Sequence, residues 1–505
     1  MYEIPQMIFS YYPMNLDLLY LVPLYFKNDI IPKFIHFAFA LITAAMIHRY
    51  ISRRINIQYG FLGALFFISI PVIVRLSSTV YVDLGLICFL FASLLYLFNW
   101  IESGFKPKPL IISAIFCGLA LGTKYNGLLG LFLLGLSTAF VYSHYNLGLK
   151  FNGLKSIGWC ALFVGVSLIV FSPWMLRNIV WTDNPVYPLY NHVFNAESVS
   201  SANTDPDMEK AQLSMSHVQI RHQIYGESWI EIALIPLRVF FQGKDDDPKS
   251  FDGKLNPFLL LLPIFAFFGI RSGSRQEKTE KMMMLAFSIL FILYACAQTS
   301  IRIRYFSPIL PSLTILSMFG LYNIQSAILD RIPRLSERIK NFAVFGIVFV
   351  MLGLNATYLA NRFNKDLPLA YISGKVTRDE YIQAYRPEYA SFQYANNNLN
   401  NEAKILGIYV GNRRYYSDID VEFSIELLQK LAADAYSSWD ISEKLYEQGY
   451  THLLVNFSLF NYWVQNYSLH EKQMLKNFFE FNTITEFSKD GYGLLRVKGK
   501  TESTA

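Results

Sequence analysis

The chain has 505 residues, is 53% hydrophobic and 16% aromatic, and carries 44 Lys and Arg against 38 Asp and Glu, a formal net charge of +6. So large an apolar share excludes an ordinary soluble domain of this length and places the chain among polytopic membrane proteins. The positive charge is spread through short loops and forms no concentrated basic face of the kind a nucleic-acid partner needs.

In chain order, residues 1–29 read as the remnant of a first extracytoplasmic loop, with Leu16–Phe26 as an interfacial amphipathic helix. No span or signal peptide precedes them, so an upstream membrane helix is expected to be lacking; a short translocated tail is the other reading. Residues 30–360 form the membrane domain, with apolar runs at Ile30–His48, Tyr59–Ile73, Val82–Trp100, Leu110–Thr123 and Gly127–Tyr142. Further runs follow at Ile157–Met175, Pro257–Ile270, Met283–Ala297, Tyr305–Tyr322 and Phe342–Tyr358. Every second loop is basic: Arg49, Arg53 and Arg54; Lys106 and Lys108; Lys150 and Lys155; Arg271, Arg275, Lys278 and Lys281; Arg331, Arg334, Arg338 and Lys340. Those loops are therefore expected in the cytoplasm. The opposite side receives Ser77–Val80, the large outer loop 177–256, the turn Ser300–Arg304 and everything after Asn361. Cys88, Cys117, Cys160 and Cys296 all fall in apolar runs, where they act as small hydrophobes and give no disulfide or metal-ligand pattern.

Residues 361–505 are polar. Arg378–Leu399 reads as helix, Ala403–Tyr409 and His452–Ser458 as strands, and Gly493–Lys498 as a further strand. Ser437 or Ser438 caps a helix ending near Gln448, with Gly449 as its terminator. Helices alternating with short apolar strands indicate a small α/β domain. The expected fold is thus mostly α: a polytopic helical membrane protein of about ten spans with a C-terminal extracytoplasmic α/β domain, in a multi-pass cell membrane.

Several outer-face residues can carry chemistry. Asp83, at the mouth of a span, is either a binding or basic group facing a cavity or an acid favoured by the helix dipole. Lys124 sits with Tyr125 and Asn126 in a tight break between two membrane segments, where an ammonium can pair with a lipid phosphate; a snorkelling lysine is the plain alternative. Arg177 and Asn178 leave the span Ile157–Met175 at headgroup depth. Arg302 and Arg304, with Tyr305 beside them, break the positive-inside trend. With Lys124 and Arg177 they make four cations suited to a phosphate group. Asp245, Asp246 and Asp247 read as a solvated turn before a cation site, and His192 and His222 as exposed loop residues. The sequons at Asn355, Asn456 and Asn466 carry little weight.

SYYPMNLDLLYL (Ser10–Leu21), STVYVDL (Ser78–Leu84), GLALGTKYNGLL (Gly118–Leu129), PWMLRN with TDNPVYP (Pro173–Pro188), FDGKLNPFLLLLP (Phe251–Pro263) and RYFSPILP (Arg304–Pro311) occur in that order. In them the chain resembles the GT-C class of membrane glycosyltransferases, in the branch of protein O-mannosyltransferases and the aminoarabinose transferase of lipid A. The resemblance implies a sugar donor linked to a polyprenyl phosphate and an inverting transfer to a glycan, lipid or protein acceptor. It also implies a carboxylate as general base and cations that hold the leaving phosphate. Asp83 matches the position of the family's second acid and Asp17 lies at the end of the first loop. The family's principal acid falls in a loop segment that this sequence lacks. The sequence points to no particular cofactor, and dependence on a divalent cation is left open. Two rival readings are a flippase for a lipid-linked saccharide and an inactive relative that binds polyprenyl phosphate.

Overall fold

The computed structural model describes residues 8–148, 151–195, 217–268, 273–297, 301–328, 337–411 and 413–499. Lys150, Arg271, Ser300, Arg331 and Arg334, the end of the run Pro257–Ile270 and residues 196–216 of the large loop lie outside them. The chain divides into two compact units, Met1–Arg362 and Phe363–Ala505.

The first unit is helical. It begins with α1 (Asn15–Tyr25), α2 (Ile31–Arg54), α3 (Ile57–Ser69), α4 (Pro71–Ser77), α5 (Asp83–Glu102), α6 (Pro107–Leu121), α7 (Gly127–Tyr145) and α8 (Asn152–Thr182). Helices Phe258–Phe265, Arg275–Cys296, Leu310–Asn323 and Glu337–Asp366 follow among smaller turns. Each of the ten apolar runs contains a helix, but among the described residues seven helices are long and apolar enough to cross a membrane, or eight if α3 and α4 count as one bent span. The count of ten came from runs that are apolar but short: α6 has 15 residues and Phe258–Phe265 has 8, against the roughly 20 a span needs. The 65° bend between α3 and α4 falls at Ile70, whose extended backbone (φ −55°, ψ 129°) is what the residue before Pro71 favours.

Burial orders the bundle. The apolar stretch of α5 is 78% buried and that of Ile303–Ser326 89% buried, so both are apolar around their whole circumference, as core helices must be. Small residues let helices approach. A Cβ on Gly320 would lie 1.9 Å from the Leu262 carbonyl oxygen, and one on Gly118 would lie 2.6 Å from that of Ser167. Buried hydroxyls are satisfied across helices, as where Ser93 Oγ donates to Ser113 O at 2.8 Å.

The second unit is built on a five-stranded sheet in the order β2-β1-β3-β5-β4, with β1 Lys404–Ile408, β2 Asp420–Phe423, β3 His452–Asn456, β4 Thr483–Lys489 and β5 Tyr492–Val497. β2, β1 and β3 are parallel, while β5 runs antiparallel to β3 and β4 to β5. Central β3 is buried along its length, hence the apolar run Leu453–Val455 at its centre. Leu428, Leu445, Leu475 and Phe478 pack with Leu406 and Leu453, and Phe392 packs with Ile405, Leu454 and Leu494. The expected helix Arg378–Leu399 is two helices, Arg378–Tyr385 and Tyr389–Asn398, because Pro387 interrupts the backbone ladder. Ser437 caps its helix with Asp440 in a capping box, and Gly449 follows at φ +83°, the left-handed terminator.

Candidate active site

The site is built around the N-terminus of α5. Val82 supplies no side-chain cap there. His36 of α2 takes that part: its Nε2 accepts the Leu84 N–H at 3.0 Å, while its Nδ1 lies 3.0 Å from both Leu76 O and Thr79 O. Donation from Nδ1 and acceptance at Nε2 require the neutral Nδ1–H tautomer. Asp83 then opens the helix, 2% exposed, where the helix dipole favours an anion.

Lys124 arrives from the turn between α6 and α7, and its Nζ meets Asp83 Oδ1 at 2.7 Å. The same ammonium lies 5.2 Å from the Tyr305 ring centre. Arg304 packs on the other side, its guanidinium 5.3 Å from that ring and 4.7 Å from Tyr81, and it interacts electrostatically with Asp83. Its Nε is buried with no hydrogen-bond partner among the described residues. Tyr81 is in turn held through its carbonyl, which accepts from Tyr20 Oη at 2.7 Å. Two cations, two aromatic rings and a buried carboxylate thus form one constellation.

They line a cavity of about 1190 Å³ together with Asp17, Tyr125 and Asn126. Tyr12, Tyr190, Tyr294 and His192 supply further wall. Asp17, on the first turn of α1, makes no ion pair among the described residues. Crowding by surrounding protein desolvates its carboxyl and raises its pKa, while its own backbone N–H pulls slightly the other way. Burial also raises the pKa of the Tyr12 hydroxyl, with Tyr305 adding to the shift.

The other residues singled out in the sequence lie elsewhere. Arg177 and Asn178 are still inside α8 and do not line the cavity. The Arg177 guanidinium is stacked between Trp174 and Trp181, at 4.8 and 5.0 Å, and donates to Tyr11 O at 2.5 Å and Tyr12 O at 3.1 Å. Asn178, 1% exposed, donates to Tyr11 O and to Tyr125 Oη. The two clamp the Tyr11–Tyr12 segment whose second ring faces the cavity. Arg302 reaches Asp252 at 3.5 Å, within a separate network in which Arg75 binds Asp252 at 2.9 Å, Asp246 at 3.0 Å and Asp245 at 3.4 Å. Asp247 caps its own turn through Ser250. Asp245, Asp246 and Asp252 are therefore charge partners of arginine, and among the described residues no group of three or more His, Cys, Asp or Glu is placed to hold a metal ion. His222 stacks on Trp229 at 4.6 Å. Asn355 is buried, accepting from Asn256 Nδ2 at 2.7 Å.

Below the charged cavity, one helix pair continues as an apolar groove. Leu128, Leu129 and Phe132 of α7 and Tyr294 of Arg275–Cys296 wall the cavity. Leu133, Leu136 and Phe140, facing Leu290, Ala286 and Met283, wall a second space of about 530 Å³. Its far end carries His144 and Lys278. The i, i+4 spacing puts each set on one helix face, so the two spaces lie along a single seam.

His36 and Asn15 were not legible as site builders. Asn15 Oδ1 accepts from Trp174 Nε1 at 2.9 Å and its Nδ2 donates to Leu119 O, tying α1 to α6 and α8. A polar residue inside an apolar run was the available signal for His36.

A family model for dolichyl-phosphate-mannose-protein mannosyltransferase matches residues 27–176, the stretch that carries Asp83 and Lys124. Among solved structures, the Archaeoglobus fulgidus oligosaccharyltransferase in complex with zinc and sulfate is similar at 9% identity and a TM-score of 0.54, over 97% of this chain and 66% of that one. ArnT from Cupriavidus metallidurans is similar at 13% identity and a TM-score of 0.49 in the apo state, and at 12% and 0.48 bound to undecaprenyl phosphate, each over 94% of this chain and 84% of that one. The comparison with curated protein sequences gives no match. The chain is a multi-pass helical membrane protein whose fold is similar to that of the Archaeoglobus fulgidus oligosaccharyltransferase, with a mannosyltransferase-family match over its first membrane helices.

Proposed function

We propose that this protein transfers a sugar from a polyprenyl-phosphate carrier to an acceptor hydroxyl at the extracytoplasmic face of the membrane. The carrying observation is the cavity that Lys124, Arg304, Asp83 and Asp17 line together, with Lys124 paired to Asp83. The two cations suit a phosphate, and the apolar seam along α7 and Arg275–Cys296 suits the isoprenoid tail of the same molecule. The family match supports a lipid-phosphate sugar as donor. Basic residues at the opposite helix ends, such as Arg53 and Arg54, support the outward orientation of the cavity.

In this reading the acceptor oxygen attacks the anomeric carbon as the bond from that carbon to the phosphate oxygen breaks, inverting the centre. Asp17 takes the acceptor proton; a raised carboxyl pKa is better matched to that task near neutral pH. The departing polyprenyl phosphate gains negative charge, which Lys124 and Arg304 stabilise. Asp83 holds the Lys124 ammonium in place. A transporter needs charges at the midplane between two openings, and here the cations gather at one helix end.

The test is transfer of label from a radiolabelled polyprenyl-phosphate sugar to an acceptor fraction in membranes containing the full chain. A Lys124→Ala, Arg304→Ala double variant is expected to lose transfer. Full turnover by that variant removes the reading.

A further inference from the structure

At the end of the bundle opposite Lys124, a third cavity, of about 220 Å³, opens between the last turns of α2 and α5. Its polar wall is Arg49, Tyr50, Arg53, Arg54, Tyr96, Asn99 and Glu102. Behind it lies Glu280, fully buried. Glu280 accepts from Tyr50 Oη at 2.5 Å, Arg54 Nη2 at 2.6 Å and Gln276 Nε2 at 2.7 Å. Arg54 also binds Glu102 at 2.6 Å, so two carboxylates consume its charge.

Apart from Tyr50 and Arg54, the donors of the wall are unspent. Arg53 reaches Glu102 only at 3.8 Å, with its side chain 62% exposed. The side chains of Arg49, Tyr96 and Asn99 make no hydrogen bond or ion pair with any described residue. Three guanidinium groups against Glu102 and Glu280 leave one positive charge, and every unspent group can donate a hydrogen bond. Such a set fits an anion with several acceptor oxygens. Met46, Ala92 and Leu95 continue the wall along the apolar length of the two helices, where an acyl chain would lie.

We propose that this cavity binds a phosphate ester anion, supplied by the headgroup of an anionic phospholipid, at the membrane face remote from the sugar-transfer cavity. A basic pocket between membrane helices at the interface is suited to that ligand, since each surface arginine adds attraction and the apolar wall accepts the glycerol and the start of the chains. The site shares no residue with the Asp83–Lys124 cavity, so its fate is independent of the proposed transfer.

Native mass spectrometry of the detergent-purified full chain, titrated with phosphatidylglycerol, phosphatidylcholine or inorganic phosphate, tests it. Phosphatidylglycerol is expected to be retained over phosphatidylcholine. An Arg49→Ala, Arg53→Ala double variant is expected to weaken that retention about thirtyfold. Asn99→Leu, which fills the cavity without removing charge, is expected to weaken it as well. Inorganic phosphate binding that both variants abolish, without selective lipid retention, would keep the phosphate chemistry and reject the lipid as its source. Equal retention of the two lipids, or phosphatidylglycerol binding unchanged in both variants, overturns the proposal.

Discussion

Lys124 and Asp83 are 41 residues apart in sequence, and their Nζ and Oδ1 atoms meet at 2.7 Å. The carboxylate side chain is 3% exposed and the ammonium side chain 20%, so each neutralises a charge that the other could not leave alone. Lys124→Met is expected to cost about 3 kcal/mol, the low end for breaking a buried pair because the ammonium keeps some solvent. It should also slow transfer by about 10²–10³-fold. The Asp83→Asn, Lys124→Met double variant should regain stability and not transfer. Thermal unfolding and the membrane transfer assay read the two effects separately; a double variant as unstable as the single would deny the pair its structural part.

Asp17 differs from Asp83 in having no cation among the described residues against it. Its raised pKa follows from desolvation, and a base works only once deprotonated. Transfer should therefore fall as pH drops through a value above the ordinary aspartate range near about 3.9. Asp17→Asn should lower transfer by about 10²–10⁴-fold and abolish that acid limb, with donor binding kept. An unchanged pH profile in Asp17→Asn would assign the proton to another group.

Arg177 acts on the cavity through Tyr11 and Tyr12, whose carbonyls it holds, while two tryptophans sandwich its planar group. Lysine keeps the charge and loses the fork and the stacking. Arg177→Lys is expected to raise the KM for the lipid donor about tenfold, the loss of one charge-assisted hydrogen bond, with the pH profile unmoved. Hydrogen exchange over residues 11–15 should quicken. A variant with fast exchange and normal KM would confine Arg177 to stability.

Legibility in the sequence followed the range of the interactions involved. The break at Lys124-Tyr125-Asn126 is local punctuation between apolar runs and could be placed to the residue, as could the Ser437 cap and the Gly449 terminator. Partner choice is a matter of three-dimensional packing. The cations Lys124, Arg177, Arg302 and Arg304 read alike along the chain, yet the fold sends Arg302 to Asp252 and Arg177 to backbone carbonyls, leaving Lys124 and Arg304 at the cavity. His36 could not be assigned, because the N–H it serves lies 48 residues away. β2 and β4 escaped notice because edge strands have exposed positions along their length, which blurs the apolar signal. Hydropathy located the apolar runs but not the length of the helix in each.

Gly320 sets how closely Leu310–Asn323 approaches Phe258–Phe265. The Cβ of an alanine there would fall 1.9 Å from Leu262 O and 2.8 Å from Leu262 C, both backbone atoms that cannot rotate aside. The helices must separate, which opens the packing around Leu262 and Phe319, both buried in the same core. Overpacking of this kind costs about 1–3 kcal/mol, partly offset by the better helix propensity of alanine, about 1 kcal/mol. Gly346, by contrast, has nothing within 4 Å of its added Cβ, so Gly346→Ala should gain the propensity term alone. Thermal unfolding of the two variants side by side is expected to move in opposite directions. Equal stabilisation by both would mean that the two helices do not touch at Gly320.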